Sequence, residues 1–118
     1  MNYIDSYLLP VPEKNLDAYR KMAEGAGKIW MEHGALAYTE CIADDVFSTL
    51  HRGSFAKAAS AVDGETIAIA YVVFRSREHR DEVSAKVYAD PRIMDCDGPM
   101  IFDMNRQINA GFKIIARY

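Results

Sequence analysis

"ETIAIAYVVF", residues 65–74, reads as a β-strand with two apolar faces. β-Branched and aromatic residues dominate it, as they do on pleated, buried surfaces. Successive strand side chains point to opposite faces, so Ile67, Ile69, Tyr71 and Val73 share one side, and Ala68, Ala70, Val72 and Phe74 share the other. An antiparallel sheet covered by helices on one face and by water on the other should alternate apolar with polar. This strand does not alternate, so both of its faces need cover.

The flanking segments say how much cover the chain supplies. "NYIDSYLLPV" (2–11) alternates and reads as a first strand, ended by Pro10 and Pro12. From about residue 13 to 33 the period changes. Leu16, Tyr19, Ala23, Ala26, Trp30 and His33 recur every three or four residues, with Met22 and Ile29 at the margin and charged residues on the rest of the cylinder. Asn15 is an alternative N-cap for this helix, and Gly34 stops it. "ALAYTECIA" (35–43) is a second strand. Residues 44–64 form a loosely patterned connection, in which "FAKAASAVDG" suits either a short strand or a helical turn. After the strand at 65–74, Ser76 caps a second helix, "REHRDEVSAKVYAD", closed by Pro91. "INAGFKIIARY" (108–118) is the fourth strand.

The resulting order, strand–helix–strand–strand–helix–strand, is the split βαβ arrangement of ferredoxin-like α+β folds, an antiparallel sheet with two helices on one face. The 118 residues leave room for one such domain, residues 1–118. Two helices cover one sheet face, so the other calls for a partner. A second copy, sheet against sheet across a two-fold axis, is the economical answer, with an interface of roughly 1,600 Å² or more. The alternative is that residues 44–64 fold over the open face.

Bulk properties narrow the function classes. A formal net charge of -3 argues against a nucleic-acid or anionic-membrane partner. No apolar run approaches the roughly 18–20 residues of a membrane span. The N-terminus lacks the basic start and cleavage site of a signal peptide, so the expected setting is cytoplasmic. Cys41 and Cys96 form no CxxC pair and read as reduced thiols. Cys41 in a strand is expected to be a small buried hydrophobe, and Cys96, between two aspartates, is a poor nucleophile. His33, His51 and His79 share no metal-type spacing, so neither a metal nor another cofactor is expected. "GAGK" (25–28) lies mid-helix and lacks the glycine and hydroxyl positions of a phosphate loop, so its glycines point to close packing or a local gap beside the helix. "RSREHR" (75–80) reads as a solvated basic face, with a phosphate or carboxylate docking spot as the alternative.

The chemistry-bearing residues cluster in "WMEHGALAYTEC" (30–41). His33 closes the helical stripe, and Tyr38 and Glu40 share one strand face. On the first strand Asp5 and Tyr7 also share a face. The functional reading is a pocket between helix and sheet for a small organic ligand. His33 would be its acid or base, Glu40 would assist, Trp30 and Tyr38 would form aromatic walls, and Asp5 and Tyr7 would be added contacts. The structural reading has His33 bonding carbonyls at the helix end and Glu40 meeting a basic side chain.

"EHGAL-Y-EC--DDV" (32–46), "HRD-V-AKV--DPR" (79–92) and "FDMNRQINAGFK" (102–113) resemble the YbaA-like bacterial proteins, a family of unknown function, over nearly the whole chain. Departures fall at "FSTLHRGSF" (47–55), Tyr71, Ile101 and Ala110. The resemblance implies a dimeric α+β barrel and carries no catalytic residues across. Its superfamily includes cofactor-independent monooxygenases, lyases and isomerases. Three functions follow as expectations: an enzyme on a small conjugated metabolite, a non-catalytic ligand-binding protein, and a structural dimer.

Overall fold

Strand β3 (Glu65–Phe74) lies inside a four-stranded antiparallel sheet of order β2-β3-β1-β4, with β1 at Tyr3–Pro12, β2 at Ala37–Ile42 and β4 at Ile108–Lys113. The computed structural model describes residues 2–45, 54–94 and 101–118. His51, Cys96 and the departures at 47–53 lie outside these residues.

Helix α1 (Leu16–Glu32) follows a short 3-10 turn at Glu13–Asn15, and α3 (Arg77–Ala89) follows β3. Between β2 and β3 the chain makes one further helical turn, α2 (Phe55–Ala58), capped by the Ser54 hydroxyl, which accepts from the Lys57 amide. The stretch that suited strand or helix is therefore helical. Ser76 caps α3 as its position implies, accepting from the His79 amide at 3.1 Å. Asn15 stands at the N-cap of α1 without capping it. Its side chain donates instead to the Ile101 carbonyl at 2.8 Å, tying the helix start to a segment 86 residues away. Gly34 takes φ +111°, the left-handed geometry that lets the chain leave a helix end.

The register places Tyr3 opposite Phe74, Asp5 opposite Val72 and Leu9 opposite Ala68, so these residues share one sheet face. Ile29 and Trp30 of α1 and Val83 and Val87 of α3 pack with Tyr3, Val72 and Phe74. Tyr19 and Ala23 of α1 pack with Leu9, Val11 and Ala68. Aromatic edges lock this core, with Trp30 meeting Phe74 and Tyr88 edge-on at 6.0 and 5.9 Å.

On the opposite face three rows of side chains run across all four strands. They are Phe112–Ile4–Val73–Ala37, Ala110–Ser6–Tyr71–Thr39 and Ile108–Leu8–Ile69–Cys41. None of the twelve is charged. Ile69, Tyr71, Ile108 and Phe112 are exposed at 38–52 %. Helix α2 contacts β3, and Ile67 with its neighbour Pro10 is buried, but the described residues leave the middle of the face open. Cys41 is exposed on this face rather than buried, because among the described residues nothing packs over that side of the edge strand β2. Strand β2 spans two residues fewer at its start and one fewer at its end than its sequence pattern covers. Strand β4 ends at Lys113, beyond which Ile115 and Tyr118 are almost fully exposed.

Candidate functional site

Two elements make the site. Strand β2 turns Tyr38, Glu40 and Ile42 toward the helices, since they stand opposite Val72, Ala70 and Ala68. Helix α1 comes close to this edge strand because Gly27 has no side chain. A Cβ there would lie 2.8 Å from Cδ1 and 3.2 Å from Cε1 of the Tyr38 ring. Gly25, one turn-face away, meets nothing within 4 Å. Of the two helical glycines, then, Gly27 serves close packing and Gly25 faces open space.

Between α1 and β2 opens a cleft of about 900 Å³, with Leu16, Ala23, Met31 and Ile42 among its apolar walls and Tyr19, Tyr38 and Glu40 as its inner polar groups. The Tyr38 hydroxyl donates to Glu40 Oε1 at 3.0 Å. Tyr19 also faces Glu40 and favours its charged form. Even so, Oε2 is sheltered from solvent and, among the described residues, makes no hydrogen bond of full geometry. Burial pushes the Glu40 carboxyl above its ordinary pKa, and the two phenols only partly oppose this. The phenols of Tyr19 and Tyr38 are themselves pushed well up, first by burial and then by the carboxylate, so both stay protonated and can act as donors.

The sequence-derived candidates do not all converge here. Glu40 and Tyr38 line the cleft. His33 does not: at the C-cap of α1 its Nε2 lies 2.9 Å from Asp90 Oδ2, just beyond α3. Arg92 grips the same carboxylate through Nε at 3.1 Å and Nη2 at 2.8 Å, and reaches Glu32 at 2.7 Å. Arg92 first and His33 second hold the Asp90 carboxyl far below the usual range. Trp30 is core, 5 % exposed. Asp5 is buried against Arg80, whose Nη1 is 2.5 Å from Oδ1 and whose guanidinium lies over the Tyr3 ring. Burial pushes the Asp5 carboxyl up while Arg80 pulls it down. Arg80 itself stays charged, so the contact favours the ionised carboxyl. Tyr7 shares the Asp5 face but adjoins Tyr88, outside the cleft lining. Among the described residues of the one chain Glu40 meets two phenols and no basic side chain.

Two members of the site were not singled out from sequence. Tyr19 was counted in the buried stripe of α1, although a phenol there brings a polar tip that needs a partner. Of the two readings open to the helical glycines, close packing or a local gap, Gly27 takes the first, against the Tyr38 ring. Among the described residues no three His, Cys, Asp or Glu side chains converge as metal ligands, and no helix is long and apolar enough to cross a membrane.

Residues 2–104 match the family described as "Protein of unknown function (DUF1428)". The chain belongs to that family. It is also 36 % identical over 115 residues to the uncharacterized protein YbaA of Escherichia coli K12, covering 98 % of this chain and 97 % of the relative. The YbaA of Shigella flexneri matches at the same identity and coverage. The family and both relatives are described without a function, so the chemistry has to be argued from the cleft.

Proposed function

We propose that this protein is a homodimer of ferredoxin-like domains, a dimeric α+β barrel, whose α1–β2 cleft binds a small organic molecule and moves a proton on it through Glu40. The observation that carries the reading is Glu40 Oε2, sheltered in the cleft wall and, among the described residues, without a hydrogen bond of full geometry. An unpartnered buried polar atom costs about 1–3 kcal/mol, an expense that a ligand donor would offset. A carboxyl raised by burial is also a stronger base, better matched to proton transfer near neutral pH. Proton abstraction of the isomerase or lyase type suits such a group, and monooxygenase-like chemistry is the neighbouring alternative within the superfamily. In this reading Tyr38 and Tyr19 position the carboxylate, and His33 with Asp90 and Arg92 fastens the end of α1 without touching the ligand.

The dimer rests on the three uncharged rows of the open sheet face and on its exposed Ile69, Tyr71, Ile108 and Phe112. A patch of this kind marks an interaction surface, and an uncharged, largely apolar face is complementary to itself under two-fold symmetry.

A ligand-observed NMR screen of small conjugated metabolites tests the cleft. Hits should shift the amide signals of Gly27, Tyr38 and Glu40, and any turnover should vanish in Glu40→Gln while binding persists. Hits that never touch these signals would refute the cleft, and hits without turnover would reduce the function to binding or sensing. Light scattering after size exclusion tests the dimer: wild type should have twice the chain mass and Tyr71→Asp the chain mass.

A further inference from the structure

We infer that the cleft selects an organic cation, a primary or secondary ammonium carried on an apolar body, with Glu40 as its counter-ion. This rests on the reading of the cleft as a ligand site and names the charge class of what enters it.

The first argument is donor and acceptor supply. The Tyr38 hydroxyl spends its only proton on Glu40 Oε1, so toward a ligand it offers lone pairs. Glu40 Oε2 offers lone pairs as well and, among the described residues, makes no hydrogen bond of full geometry, although the Tyr19 hydroxyl faces the carboxylate. Both phenol protons are therefore directed at Glu40, and the inner cleft offers a ligand mainly lone pairs. An ammonium carries two or three N–H donors on one atom, whereas a carboxylate or phosphate carries none.

Charge points the same way. The residues lining the cleft include four carboxylates, of which Asp17 pairs with Arg20 at 2.9 Å and Glu32 with Arg92, leaving Glu24 and Glu40 against Lys28. Among the described residues no cation acts on Glu40, the most buried charge of the cleft lining. An anionic ligand would face it across an apolar wall, where charge repulsion is screened far less than in water. The walls from Leu16, Ala23, Met31 and Ile42 leave the body of the ligand to be apolar. Proton transfer from the bound N–H to Oε2 is then the step open to the site. The N–H bond breaks, its electron pair stays on nitrogen, and the Oε2–H bond forms.

The test uses three probes with one ring and three charges: benzylammonium, benzyl alcohol and benzoate. Each is titrated into ¹⁵N-labelled protein at pH 7 and followed through the Gly27, Tyr38, Glu40 and Ile42 amides. Benzylammonium should bind at least tenfold more tightly than benzyl alcohol, and benzoate most weakly. In Glu40→Gln the ratio of the first two should fall to about one. Because the amine stays protonated, lowering the pH through the Glu40 titration in wild type should erase the preference too, a readout that does not depend on the variant folding. Equal binding of all three probes, or a preference that survives both Glu40→Gln and acid, overturns the inference and leaves the cleft as a ligand site. Absence of any shift at these amides with all three probes overturns the cleft and the inference together.

Discussion

Gly25→Ala and Gly27→Ala lie two residues apart in the middle of α1 and should change stability in different directions. Each gains the same helix-propensity difference, about 1 kcal/mol in favour of alanine, because glycine loses more backbone freedom on folding. At Gly25 the new methyl meets nothing within 4 Å, so the gain should appear undiminished. At Gly27 it would sit 2.8, 3.2 and 3.5 Å from three carbons of the Tyr38 ring. Those atoms belong to a stiff ring on a strand, so the ring or the helix has to move, and overpacking of this kind costs about 1–3 kcal/mol. The propensity gain is common to both variants and cancels in their difference, which isolates the clash. Gly25→Ala should therefore be more stable than Gly27→Ala by about 1–3 kcal/mol. At about 4 °C per kcal/mol for a chain of this length, that is roughly 4–12 °C in melting temperature. Urea unfolding and calorimetry at matched protein concentration would read it, since the melting of an oligomer depends on concentration. A displaced Tyr38 would also loosen its bond to Glu40, so the carboxyl in Gly27→Ala should titrate higher than in wild type. If Gly27→Ala stabilised the protein as much as Gly25→Ala and left the Glu40 titration unmoved, the close approach of α1 to β2 would be refuted.

Glu40 binds its proton more tightly folded than unfolded, so its penalty is absent below the unfolded carboxylate range near pH 4 and complete above the folded pKa. The stability advantage of Glu40→Gln over wild type should accordingly grow as pH rises through that window, and a difference flat from pH 4 to 8 would contradict it. Asp90 has the opposite sign. Its contribution is present above the unfolded range and lost as pH falls toward its depressed folded pKa, so His33→Ala and Arg92→Ala should each move the acid-unfolding midpoint to higher pH, Arg92→Ala further. Equal midpoints in all three proteins would remove the helix-end clamp. Arg80→Ala should cost about 3 kcal/mol in urea unfolding, because it leaves the buried Asp5 carboxylate unpaired. Asp5→Asn made in the Arg80→Ala background should then recover part of that loss.

Much of the architecture was legible along the chain because short-range physics writes it there. The alternation of residues 65–74, the three-and-four spacing from Leu16 to Trp30, the hydroxyl of Ser76 and the glycine at 34 act within a strand or a single helical turn. Each lies where its pattern put it. The doubly apolar faces of β3 were equally readable, and one of them is open across the sheet.

Which side chains meet across elements was decided only in three dimensions. Neighbours in "WMEHGALAYTEC" part company: Trp30 enters the core, His33 reaches Asp90 57 residues away, and Glu40 turns into a cleft with Tyr19. Cys41, adjacent to Glu40, faces the opposite side in the open. Period and capping fix which face of its own element a residue occupies. The partner it finds there depends on strand order, on register and on how closely α1 can approach β2, and that approach is set by the missing side chain of Gly27 against one tyrosine ring.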